Sequence, residues 1–103
     1  MIRLTLHSRD GEWTGFECLG HAGFAEAGQD IVCAAVSILT TTCVNALETV
    51  AGVKPRAEAS PGKMVLTLPG NAGHDAQVIL GAMRQGLSDL AEEYPRYFQL
   101  IER

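Results

Sequence analysis

Apolar and polar residues alternate at the start of the chain: Ile2, Leu4 and Leu6 interleave with Arg3, Thr5 and His7. A period of two puts the apolar set on one face of a half-buried strand. Ser8-Arg9-Asp10-Gly11-Glu12 holds an Asp-Gly turn signal, and Trp13 to Gly20 reads as a second strand with Phe16 and Cys18 on one face. A hairpin joins the two. From His21 to Gln29 neither period continues; Gly23 and Gly28 flank Phe24-Ala25-Glu26-Ala27, and a flexible loop is expected. Asp30 then has the chemistry of a helix N-cap, because its carboxylate can accept from backbone N–H groups two or three residues on. The helix runs from Ile31 to about Val50, with Gly52 as a left-handed stop beyond it. It is apolar almost all round, which calls for burial on most sides, against a sheet and under another helix or a second subunit.

Two short strands follow, Val53 to Ala59 and Lys63 to Leu68, around Ser60-Pro61-Gly62. Pro69-Gly70-Asn71 ends the second. A helix is expected from about Ala72 to Glu93, with Ile79, Leu80, Met83, Leu87, Leu90 and Tyr94 along one stripe. Pro95 limits it, and Arg96 to Ile101 is a final strand. The order is ββαββαβ. It implies an α+β fold, a mixed β-sheet with two helices packed on it.

Composition narrows the function classes. The 103 residues suit one domain, and 47% apolar with 19% charged residues is a globular balance. Net charge is −4, and the eight Lys and Arg are scattered, so direct nucleic-acid binding is not expected. Cys18, Cys33 and Cys43 are odd in number and form no CxxC pair. That disfavours a disulfide framework or a thiolate zinc site and favours reduced thiols in the cytoplasm. No signal-peptide pattern opens the chain. Ile31 to Val44, with Ser37 and Thr40 to Thr42, reads as too short and too polar for a membrane span. No phosphate-binding glycine motif occurs, so no cofactor is expected. His21, Glu26 and Asp30 match no standard metal-ligand spacing, so no metal is expected either.

Cys33 is the third residue of the expected first helix. There the helix dipole and unpaired N–H groups favour negative charge, and a thiolate is a nucleophile. Position alone leaves a plain alternative, because a free Cys is more often a small buried hydrophobe. His21 changes the weighing: it ends a strand and opens the loop leading to Cys33, where an imidazole can take the thiol proton and later return it. His7 and His74 are its competitors. Ser37 lies one turn after Cys33 on the same face, and bonding back to the helix carbonyl four residues earlier is an equally good account of it. Ala22, Gly23, Phe24 and Gly28 belong to a loop able to open for a peptide and close over it.

The stretch Gly20-His21-Ala22-Gly23-Phe24-Ala25, followed by Gly28-Gln29-Asp30-Ile31-Val32-Cys33-Ala34-Ala35-Val36-Ser37, resembles the ribosomal-processing cysteine protease family Prp. Gln29 stands where a Lys is often expected. The resemblance implies His21 and Cys33 as the catalytic pair, Asp30 and Ser37 as supporting residues, and a mobile loop between His and Cys. It further implies a homodimer and removal of a short N-terminal extension from a large-subunit bacterial ribosomal protein. The implied cleavage site is rich in Phe and Leu.

Two readings compete. A non-catalytic assembly module would use the long apolar helix as an interface and ignore His21. A redox-sensing thiol would need a resolving Cys, and Cys43 lies ten residues further along the helix, away from its start.

Overall fold

A computed structural model describes residues 1–23, 25 and 30–103. Its elements follow in the expected order: β1 (Ile2–Arg9), β2 (Glu12–Leu19), α1 (Ile31–Thr49), β3 (Arg56–Ser60), β4 (Lys63–Thr67), α2 (His74–Glu93) and β5 (Phe98–Glu102). The strands form one mixed sheet in the order β3-β4-β2-β1-β5. β5 lies parallel to β1, and every other pair is antiparallel. Asp10 and Gly11 both have positive φ, 53° and 81°, the geometry of the tightest hairpin turns. The turn pairs Arg9 with Glu12 and Ser8 with Trp13, and a bulge between His7 and Ser8 then shifts the β1–β2 register by one residue.

That register gathers the apolar residues on one face. Leu4 stands opposite Cys18 and Leu100, Leu6 opposite Phe16, Phe16 opposite Leu66, and Ile2 opposite Phe98. Ile2, Leu4, Leu6, Phe16, Leu66 and Phe98 are all buried. The other face carries Arg3, Thr5, His7, Glu17 and Gln99. Both helices therefore cover the same side. α2 contributes Ala76, Leu80, Met83 and Leu87, at helical spacing. α1 contributes Val32, Val36, Thr40, Cys43 and Leu47. Thr40 is tolerated there because its hydroxyl donates to the Val36 carbonyl at 2.8 Å, which satisfies its buried oxygen. The helices approach closely at Gly86, where a Cβ would come within 2.8 Å of Leu39 Cδ2. Arg84 and Glu102 form a two-pronged ion pair, at 2.5 and 3.0 Å, that fastens α2 to β5.

Three elements start two or more residues later than expected, each for a local reason, and the other four start within one residue of expectation. β3 starts at Arg56 rather than Val53. The Val53 N–H donates to the Leu47 carbonyl and the Gly52 N–H to Glu48, so both residues finish α1; Pro55 has no N–H to give a ladder. α2 starts at His74 rather than Ala72, whose N–H closes a turn onto Pro69. β5 starts at Phe98 rather than Arg96, because Tyr97 and Phe98 both donate to the Tyr94 carbonyl.

α1 departs from expectation in its suitability for a membrane span. At 19 residues it is long and apolar enough to cross a membrane by length and composition alone, so shortness does not decide the matter. One stripe of it, Val32, Val36, Thr40, Cys43 and Leu47, is buried in the core. On its outer side Ile31 and Ile38 are 53% and 64% exposed.

Candidate active site

The end of β2, the start of α1 and the β3–β4 turn meet at one edge of the molecule. They enclose a cleft of about 210 Å³ whose lining includes His21, Cys33, Ser37, Cys18, Gly62 and Lys63. Residues far apart in sequence reach it for separable reasons. β2 pairs with β1 and β4 up to Leu19, and the chain then leaves the sheet at Gly20. The Gly20 N–H donates to the Gly62 carbonyl at 2.9 Å, which ties the start of the loop to the β3–β4 turn. His21 follows directly and is exposed at the mouth.

Asp30 is the N-cap of α1. Its Oδ1 accepts from Val32 N at 3.0 Å and from Cys33 N at 2.9 Å, and its carbonyl accepts from Ala34 N. Cys33 thus sits in the first turn, half-buried, with its backbone held by the cap. The N–H groups of Val32 and Cys33, the helix-start donors an oxyanion would use, are committed to Asp30. A different donor meets the sulfur: the Ala22 N–H points to Cys33 Sγ at 3.4 Å. Ala22 is itself buried, which holds that donor in place.

His21 and Cys33 line the same cleft, and no hydrogen bond joins their side chains. Separations of this kind are common before substrate binds. His7 lies exposed on β1 and His74 opens α2; neither lines the cleft. Ser37 lines it one turn beyond Cys33, and its hydroxyl makes no hydrogen bond among the described residues. The back-bond to the helix is made by Thr40 instead. Gly23 is exposed with φ 71°. Phe24 and Gly28 lie outside the described residues.

The other two thiols are held as thiols. Burial pushes Cys18 up to about 11, and the neighbouring Cys33 adds to the effect. Burial alone pushes Cys43 up to about 11. Larger hollows lie elsewhere among the described residues, two of them on the helix side and beside the first hairpin. One, of about 270 Å³, is an apolar groove between α1 and α2 that includes Ile38, Cys43 and Met83. The other, of about 450 Å³, lies beside Trp13 and Gln77. Neither pairs a thiol with a histidine.

The family model described as cysteine protease Prp matches residues 1–99. The chain belongs to the Prp cysteine protease family. Within it, the ribosomal processing cysteine protease Prp of Bacillus subtilis is 34% identical over 101 residues, covering 91% of this chain and 90% of that protein. The ribosomal processing protease Prp of S. aureus, solved with a covalently linked product peptide, superposes with a TM-score of 0.95 at 29% identity over the whole of both chains. The same protease with a substrate peptide gives 0.89 at 28% identity, again over both whole chains. The Prp resemblance read from the segment Gly20 to Ser37 therefore extends to the whole fold.

Three features of the cleft carry no sequence signal of their own. The Ala22 donor is a backbone group. Cys18 is brought beside Cys33 only by the packing of β2 against α1. Gly62 arrives from a turn about forty positions away, and its only mark in sequence is a Pro-Gly turn.

Proposed function

We propose that the cleft is the active site of a cysteine endopeptidase with a His21–Cys33 dyad. The carrying observation is the seating of Cys33 in the first turn of α1, with a backbone N–H on its sulfur and His21 in the same cleft. In this reaction His21 takes the Cys33 proton, and the thiolate attacks the scissile carbonyl. His21 then protonates the leaving amine, so the peptide bond breaks as the thioester forms. Water, deprotonated by His21, hydrolyses the thioester and restores the thiol. The Ala22 N–H is the donor best placed for the developing oxyanion. Asp30 acts by fixing the Cys33 backbone, and Ser37 by lining the cleft beside the sulfur.

The substrate is a large-subunit ribosomal protein, trimmed of a short N-terminal extension at a Phe- and Leu-rich site. Family membership supports this reading, since the Bacillus subtilis relative is named for ribosomal processing. The chain acts as one protease domain in the cytoplasm, as a homodimer that covers the open outer side of α1. The segment after His21, beginning Ala22-Gly23, admits the peptide.

The test is cleavage of the N-terminal peptide of that ribosomal protein by the wild type, Cys33→Ala and His21→Ala. Cys33→Ala is expected to lose cleavage entirely, and His21→Ala to lose at least a hundredfold, the scale of a missing general base. Cleavage by Cys33→Ala at the wild-type rate would overturn the mechanism and leave the assembly-module reading.

A further inference from the structure

The β3–β4 turn touches the active histidine at a residue without a side chain. Gly62 lies against the imidazole of His21. A Cβ built on it would stand 2.9 Å from Nε2, 3.5 Å from Cε1 and 3.6 Å from Cδ2. Real side chains do not approach so closely, so the imidazole occupies space that any other residue at position 62 would fill. The same glycine carries the carbonyl that accepts from the Gly20 N–H at 2.9 Å, one residue before His21. One residue of a distant hairpin thus anchors the backbone that leads into His21 and leaves the space its ring uses.

The backbone explains the choice of glycine only in part. Gly62 has φ +73°, in the left-handed region that favours glycine. Gly11, in the β1–β2 turn, has a similar φ of +81° but meets nothing within 4 Å of a built Cβ. The two turns make the same conformational demand, and only one adds a steric demand from a functional side chain.

We infer that Gly62 is a positioning residue for His21, holding the imidazole where it can exchange a proton with Cys33. The inference rests on His21 acting as the base. A side chain at position 62 displaces the Nε2 end of the ring and lowers turnover, with no greater loss of stability than the same change at Gly11 causes.

The variants are Gly62→Asn, Gly62→Ala, Gly11→Asn as the control, and His21→Ala. Asn accepts a left-handed backbone better than other residues, so Gly62→Asn isolates the steric effect. The expected result for Gly62→Asn is a melting temperature close to that of Gly11→Asn and KM near wild type. Its kcat falls roughly ten- to a hundredfold, the scale of a misplacement of about 1 Å. The His21 ring resonances shift, and the pH profile of Cys33 alkylation moves toward that of His21→Ala; the alkylator is too small for a blocked substrate path to account for this. Gly62→Ala, with the smallest possible side chain, shows the same changes, so the test stands even if Asn unfolds the turn. Wild-type kcat with unmoved His21 resonances in either folded Gly62 variant overturns the inference. A His21→Ala enzyme that cleaves at the wild-type rate overturns the dyad first and the inference with it.

Discussion

Cys33 differs from the two other thiols in its setting rather than in its chemistry. Cys18 and Cys43 are pushed up to about 11 by burial. A thiol titrating there is ionised to only about one part in three thousand at pH 7.5. A small alkylating agent at pH 7.5 is therefore expected to label Cys33 first, read by peptide mass spectrometry. Labelling of Cys18 and Cys43 should rise about tenfold per unit of pH until about pH 11, because each unit releases ten times more thiolate. Equal labelling of all three at pH 7.5 would contradict the burial argument. Much of this was readable beforehand: the spacing of Asp30 and Cys33 placed the thiol in a first helical turn. The proximity of Cys18 was not, since the β2 strand pattern gives no account of what lies over its apolar face.

α1 joins catalysis to stability through a single cap. Asp30→Ala removes the acceptor for the Val32 and Cys33 N–H groups. The expected loss is about 1 kcal/mol of stability, measured by urea unfolding, which is the ordinary worth of an N-cap. Cleavage should fall as well, at temperatures where the variant is still fully folded, because the Cys33 backbone is no longer held. A stability loss with unchanged cleavage would confine Asp30 to a structural role. Element types and order were legible because the period of two was clean in β1 and β4, the period of 3.6 was clean in α2, and α1 was marked by its Asp30 cap and apolar length. Three boundaries shifted because backbone donors at Val53, Ala72 and Tyr97 closed turns instead of joining ladders. Such competition between turn and ladder leaves little trace in hydrophobic pattern.

At the scale of the molecule, the sheet has one covered face, and α1 has a covered side and an open one. The open side carries Ile31 and Ile38, and Ile38 borders the apolar groove shared with α2. For the proposed homodimer, Ile38→Asp is expected to give a folded monomer by sedimentation, since Ile38 is 64% exposed and contributes little to the core. A dimer of undiminished strength would place the interface elsewhere. The apolar run of α1 was visible in the sequence, and the burial expected from it on most sides was not realised within one chain. Composition reports how apolar a helix is, and neighbours decide which of its sides they cover.

The sequence by itself determined the α+β class, the succession ββαββαβ, the capped first turn holding Cys33, and the family. These follow from local periodicity, side-chain capping chemistry and a compact motif between Gly20 and Ser37. Only the tertiary structure decided the strand order β3-β4-β2-β1-β5, and with it the meeting of Gly62, Cys18, His21 and Cys33 in one cleft. Strand pairing depends on contacts between distant segments, and the donor on Cys33 and the space beside His21 are set by backbone that has no side-chain signature.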